Sequence, residues 1–511
     1  MQPPERARPR AGLPVDLYGA HRRAQPVSEL RLRARGSLAG GARRVAECSR
    51  AAQARLLAPR GRGRPGAGLP ARRGPDMLAA SDGEGRRPMM CQRVKATRRG
   101  FLTTVGAGVA GPWVVTSGAL GGPQKAPASD RIQLGVIGTG GRGMALLGMN
   151  GYPRCKVAAV CDVYRPHMLR AQKAIGGSCD GVTDFRQILD RADIDAVATG
   201  TPDHWHALIT VMACQSGKDV YCEKPLCRTI ADGRAMVEAA RRYGRVVQMG
   251  SQYRSLGHVR QFCEWVRNGR FGKIERVRLS HPCCPRAQVA PGGPPPADLD
   301  WDLWLGPAPW APYHPNRCLF NFRFWMDYAG GFITDNGTHM MGVVSWAMGA
   351  DDTGPVAIEA TGKEAPDSMY DVPVELTVRY EFENPRWLMT WEQPGDGRLN
   401  MQFIGPQATV DGFFRPTLVK GEADLSPTRS GEVHLYESND HFGNWLDCIQ
   451  SRKRPVYDVE IGHRVTTWSH LGNIAYLTGR KLRWDPARQC FPDDPEANRL
   501  LQRPYREPWR L

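Results

Sequence analysis

The chain has 511 residues, 41% of them hydrophobic and 23% charged, with a formal net charge of +18, so it has room for two or three domains with ample core. The charge is uneven: residues 1–90 hold 19 Arg, no Lys and 7 acids, residues 91–128 add 5 cations and no acid, and residues 129–511 carry 45 basic against 44 acidic side chains. A basic nucleic-acid groove in a folded domain is thereby excluded, as are collagen-like, largely disordered and multi-span membrane chains, since no run reaches about 18 apolar residues.

Residues 1–88 are rich in Arg, Ala, Gly and Pro, as in Arg60-Gly-Arg-Gly-Arg-Pro-Gly66, with no helical or strand period. Such a segment buries too little apolar surface to offset its ordering entropy. Two readings stand: a disordered arm, or upstream sequence read from a start codon placed too early, with Met77, Met89 or Met90 as the true start. Residues 89–128 run from a short basic stretch through Thr97-Arg98-Arg99-Gly100-Phe101-Leu102 and a mildly apolar run to Ala126-Pro127-Ala128. This order resembles a twin-arginine export signal, whose apolar run is too weak and short for an anchor. It implies a mature chain beginning near Ser129, exported to the periplasm after folding in the cytoplasm, with the twin-arginine machinery as partner and no stable membrane insertion. Of the 12 cysteines beyond residue 128, none forms a CxxC pair, so no metal site is expected. Most read as buried small hydrophobes, with one or two disulfides allowed after export.

Arg131 to Ile137 is a β-branched strand that runs into Gly138-Thr139-Gly140-Gly141-Arg142-Gly143 and a helix-like segment, and a second strand from Lys156 to Cys161 ends in Asp162, 19 residues past Gly143. Strand, glycine loop, helix and acid in this order describe a dinucleotide site. Gly138, Gly140 and Gly143 let the turn close and the backbone approach a pyrophosphate, and Thr139 and Arg142 lie in the same loop. Asp162 can accept from both ribose hydroxyls and repel a 2′-phosphate, which favours NAD over NADP, against the pull of nearby Arg165. The βα alternation continues to Met249 and predicts a parallel sheet covered on both faces over residues 129–250. Ligands lie over the strand C-termini of such sheets, where Thr201, Pro202, His204, His206, Glu223 and Lys224 fall.

With Gly-Val-Ile-Gly-Thr-Gly140, Thr201-Pro202, Glu223-Lys224-Pro225, Gly269-Arg-Phe-Gly-Lys273, Asp335-Asn-Gly-Thr-His339, His441 to Ile449 and Arg452-Lys-Arg-Pro455, the sequence resembles the Gfo/Idh/MocA family of oxidoreductases over residues 131–486. The resemblance implies an α/β fold: a Rossmann domain, then a domain over residues 251–486 with a large, mostly antiparallel open sheet that often forms a dimer or tetramer interface, and a tail from 487 to 511. It also implies hydride transfer between a ring hydroxyl of a sugar, cyclitol or glycoside and NAD(P), with Lys224, Asp335 and His339 as the catalytic trio and His339 as the base.

Oxidation of a secondary alcohol needs a cation at the hydroxyl oxygen and a base for its proton. Lys224 ends a strand before a Pro, and Asp335 and His339, four apart, share a helical face, so the aspartate can orient the imidazole or hold substrate. Asp203 stands where many relatives carry Asn. His204, Tyr253, Trp304 and Tyr328 are candidate substrate contacts, and Trp301, Trp304, Trp310, Tyr313 and His314 form either a carbohydrate lid or ordinary core. Three functions follow: an exported oxidoreductase with tightly held NAD; an NAD-dependent glycosidase using transient oxidation, elimination and re-reduction; and a non-catalytic sugar or nucleotide sensor.

Overall fold

The computed structural model describes residues 130–412 and 416–511, so the expected arm and export signal lie outside the described residues. Six strands, β1 (Ile132–Ile137), β2 (Cys155–Cys161), β3 (Asp180–Val182), β4 (Ala196–Thr199), β5 (Asp219–Glu223) and β6 (Val247–Gly250), form one sheet in the order β3-β2-β1-β4-β5-β6. Every pairing in it is parallel. The strand order reverses between β1 and β4, which leaves a crease at their C-terminal ends. β4, β5 and β6 are buried at every residue because helices cover both faces.

On one face Ile137, Val197, Val220 and Val247 pack with Leu208 and Val237 from the helices Asp203–Gln215 (α4) and Ile230–Arg242 (α5). On the other, Leu134, Val136, Ala198 and Tyr221 pack with Leu146 from the short helix Gly141–Leu146 (α1) and with Trp445 and Leu446. The last two belong to His441–Ser451 (α9), so the chain returns to the first sheet after leaving it. The boundary expected at residue 250 is therefore not a clean cut.

The second sheet has eight strands, β7 (Arg276–Ser280), β8 (Ala357–Lys363), β9 (Glu375–Phe382), β10 (Trp387–Gln393), β11 (Asn400–Ile404), β12 (Ala408–Asp411), β13 (Thr417–Gly421) and β14 (Leu482–Arg483). Their order is β13-β12-β11-β7-β10-β9-β8-β14, and only β7 with β10 runs parallel. Burial alternates along β9 and β10, so one face is apolar (Val378, Tyr380, Phe382, Met389, Trp391) and the other polar. The apolar face packs on Phe332–Met348 (α8) and Val459–Thr478 (α10). α8 starts after Gly331, at φ +77°, and stops at a left-handed Gly349, whose N–H closes on the Ser345 and Trp346 carbonyls. Its apolar character all round suits a helix buried between a sheet and other helices.

Residues 487–511, expected as a tail, are part of the body. Phe491 and Ala497 join the core of the second sheet. Tyr505 and Trp509 pack on the first, with the Tyr505 hydroxyl donating to Asp232 at 2.9 Å. The 12 described cysteines are all free thiols and ten are buried, so the disulfides allowed for after export are absent among the described residues.

Candidate active site

The strand ends of the first sheet and the first turn of α8 meet at one place. Lys224, directly after β5, donates from Nζ to Asp335 Oδ1 at 2.6 Å and to the Asp335 carbonyl at 3.2 Å. Arg323 Nε stands 3.2 Å from the same Oδ1. Burial alone would raise the Asp335 carboxyl, but Lys224 and then Arg323 hold it far below the usual carboxylate range. The first turn of α8, where backbone N–H groups point outward, also suits a carboxylate.

His339, one turn further along α8, is held at Nδ1 by Ser251 Oγ at 2.7 Å, and its ring meets Tyr253 edge-on at 4.9 Å. Burial and the neighbouring Lys224 push the imidazole well below its ordinary value, so it is neutral. Of the two roles expected for Asp335, orienting the imidazole or holding substrate, the hydrogen bond to the imidazole comes from Ser251, while Asp335 pairs with Lys224 and Arg323. Tyr253, expected against substrate, packs edge-on against the His339 ring.

Asp203 opens α4 beside this cluster and is buried. Desolvation pushes its carboxyl up to about 8, against the pull of Arg323. His206 lies 2.8 Å from the Pro225 carbonyl through Nδ1 and 3.0 Å from the Thr201 carbonyl through Nε2, and so ties the Thr201-Pro202 turn to the Lys224 turn. A neutral imidazole donates to only one of these carbonyls, and with each ring nitrogen facing a backbone oxygen His206 braces the two turns.

His204, Trp304 and Tyr328 do not gather at the cluster. His204 is 2% exposed, Nε2 sits 3.0 Å from the Trp304 carbonyl, and its ring lies 5.4 Å from Trp304 and 5.2 Å from Tyr328. Trp304 stacks on Trp301 at 4.8 Å. These three candidate substrate contacts are corrected to core, because their ring faces are spent on one another. Of the loop's tryptophans Trp310 alone is exposed, at 68%.

At the crease, Gly138 has φ +77°, and a Cβ there would stand 2.7 Å from the Thr201 nitrogen. A Cβ on Gly143 would overlap the Gly138 carbonyl oxygen, while one on Gly141 would meet nothing. No side chain caps α1. The loop is thus tight against β1 and β4 and open at the uncapped N–H groups, which is the cradle a pyrophosphate requires. Asp162 accepts from Thr139 N at 2.7 Å and Thr139 Oγ1 at 3.2 Å through Oδ2, and from Tyr164 N at 2.9 Å through Oδ1. Arg142 pairs with Glu223 at 2.7 Å, which leaves Lys224 to Asp335.

Sequence reasoning missed Arg323, Ser251, and His167 and Arg170 near Asp162. Ser251 follows β6 directly and the strand-end rule reaches it; Arg323 sits in the 3-10 turn Asn321–Phe324, where no periodicity marks it. His167 Nδ1 is 3.5 Å from Asp162 Oδ2, and Arg170 Nη2 donates to the Thr139 carbonyl at 3.2 Å.

Comparison with known proteins agrees with this layout. Residues 132–251 match the oxidoreductase family's NAD-binding Rossmann fold and residues 287–511 its C-terminal alpha/beta domain. Levoglucosan dehydrogenase of Pseudarthrobacter phenanthrenivorans is 30% identical over 198 residues, 39% of this chain and 44% of that protein. Inositol 2-dehydrogenase 4 of Saccharopolyspora erythraea is 30% identical over 169 residues (32% and 47%), and a glycosyl hydrolase family 109 protein of the same organism 28% over 157 (29% and 34%). The chain spans under half the length of these curated relatives. Among solved structures, the WlbA dehydrogenase of Chromobacterium violaceum, in complex with NADH and UDP-GlcNAcA, superposes with a TM-score of 0.54 at 16% identity, over 71% of this chain and 98% of that one. With an NAD-binding Rossmann domain and the matching C-terminal domain in order along one chain, the protein belongs to the Gfo/Idh/MocA oxidoreductase family.

Proposed function

We propose that the protein is an NAD-dependent oxidoreductase acting on a ring hydroxyl of a small carbohydrate or cyclitol. The observation that carries this reading is the Lys224–Asp335 pair at 2.6 Å beside a neutral, half-buried His339, at the C-terminal edge of the parallel sheet. The glycine loop, Thr201-Pro202 and Asp162 would hold the dinucleotide, whose nicotinamide, when bound, supplies the hydride acceptor. Lys224 binds the reacting hydroxyl oxygen and stabilises negative charge there. Asp335 fixes the ammonium, with Arg323 balancing its charge. His339, with Nδ1 on Ser251, keeps Nε2 for the substrate proton.

Names among the relatives support the substrate class: levoglucosan and inositol are both polyhydroxylated rings. Single-turnover reduction of added NAD across a panel of sugars and cyclitols tests the reading; no reduced cofactor with any of them rejects it. A second reading, the redox-neutral glycosidase, is favoured by the family 109 relatives. It predicts release of a glycosidic leaving group with no net reduced cofactor. We further propose, on residues 89–128 alone, export by the twin-arginine route to the periplasm; N-terminal sequencing of exported protein checks it. A homo-oligomer built on the polar face of the second sheet is the matching assembly, checked by light scattering.

A further inference from the structure

We propose that Asn336, locked by His281, determines specificity by presenting its amide oxygen as an acceptor to a second hydroxyl or N–H of the substrate. The inference rests on the oxidoreductase reading above. It begins at His281, just past β7, where Nδ1 lies 2.8 Å from the Pro282 carbonyl oxygen. A carbonyl can only accept, so Nδ1 carries the proton and Nε2 keeps its lone pair. Asn336 Nδ2 stands 2.8 Å from that Nε2 and must therefore be the donor. The amide is thereby oriented with Oδ1 turned away from the histidine.

The lock is firm because His281 is buried, with Phe332 at 4.4 Å and Trp391 stacked at 5.4 Å. Burial also lowers its pKa and keeps the ring neutral. Asn336 itself is half-buried, and no hydrogen bond from a described residue reaches Oδ1. On α8 it follows Asp335 and precedes His339 by three residues, so the three side chains occupy one arc of about 100°. Neighbours on such an arc stand about 5–6 Å apart, the distance from a reacting hydroxyl to another substituent of the same ring. An acceptor fixed there attracts an O–H or N–H and disfavours a ketone, an ether or a carboxylate at that position.

The test compares wild type with Asn336→Leu and with His281→Phe, which keeps an aromatic ring but loses Nε2. Each is assayed with an accepted sugar and its deoxy analogues, by turnover and by calorimetric binding to NAD-loaded protein. In wild type one deoxy analogue should lose about 10- to 100-fold in kcat/KM, mostly through KM. Asn336→Leu should erase that discrimination, and His281→Phe should weaken it, with NAD affinity and the unfolding midpoint unchanged. Undiminished discrimination in Asn336→Leu overturns the proposal, as does a loss that follows the unfolding midpoint in both variants. Wild type that binds the sugars with this discrimination but reduces no NAD rejects the oxidoreductase reading and leaves the role of Asn336 standing; a protein that binds none rejects both.

Discussion

Two histidines, 135 positions apart in the sequence, show how little residue type says about role. His339 spends one nitrogen on Ser251 and sits half-buried against Lys224 and Asp335. His204 spends Nε2 on the Trp304 carbonyl inside a box of aromatic rings. Burial lowers both imidazoles, His204 to about 3, so a perturbed titration does not separate them. What separates them is access: His204 Nδ1 has no hydrogen-bond partner but is closed in among the rings of Trp304 and Tyr328, whereas His339 is partly exposed beside Lys224.

The largest effect tests that contrast directly. His339→Ala should lower the rate of cofactor reduction by roughly two to four powers of ten, the usual size of general acid–base assistance, with NAD affinity and unfolding midpoint kept. Lys224→Ala should act similarly and also weaken sugar binding. A fully active His339→Ala enzyme would erase the distinction between the two histidines. On the other side, Trp304→Ala should cost about 3–5 kcal/mol of stability by leaving a cavity under Trp301 and His204, read by denaturant unfolding. A Trp304→Ala protein of unchanged stability and raised KM for sugar would return that cluster to the substrate.

The same contrast explains what was legible in the sequence. The first sheet was readable because its turns carry chemistry in their residue types: Gly138 needs a positive φ, and Lys224 stands where a strand ends. That Asp335 and His339 lie on one helical face was readable from their spacing, while their grouping with Lys224 came from the family resemblance. Arg323 was hidden in irregular backbone, and the packing of Trp304 on Trp301 is a tertiary choice that no local pattern states. The return of α9 and of Tyr505 and Trp509 to the first sheet was equally hidden, since an apolar surface does not name the one that covers it.

A smaller effect per group comes from the histidines that resemble His204. His206, His441, His463 and His470 are each lowered to about 4 by burial, and His204 to about 3. The unfolded chain takes up protons below about 6.5 while the native state does not, so stability is complete above that pH and falls as pH drops toward 4. Each fully buried imidazole contributes about 1.4 kcal/mol per pH unit in that window. Asp335 is depressed in the opposite class: its contribution is present above about 4 and is lost only as pH falls below the ordinary carboxylate range. Denaturant unfolding should therefore weaken between pH 6.5 and 4, the five histidines outweighing the opposite contribution of the raised Asp203 carboxyl, before the Lys224–Asp335 pair is touched. A flat profile there would mean that these rings are hydrated and that the comparison with His339 is drawn too sharply.

The smallest expected effect falls on Asp162, which lies between the two histidines in kind. Its carboxylate already serves the protein, with Thr139 N, Thr139 Oγ1 and Tyr164 N as donors. An ionised carboxylate has about four acceptor directions, so capacity remains for a ribose hydroxyl, and its charge still opposes a 2′-phosphate. Asp162→Ser removes both the charge and the tie to Thr139. NAD affinity should fall about tenfold, roughly the worth of one charge-assisted hydrogen bond, while NADP affinity holds or rises. The ratio of the two dissociation constants, measured by cofactor fluorescence, is the decisive quantity, because loosening of the glycine loop weakens both ligands alike and cancels in it. If the ratio stays fixed, the discrimination belongs to His167 and Arg170 beside the same loop, and Asp162 joins His204 as a group that serves the fold.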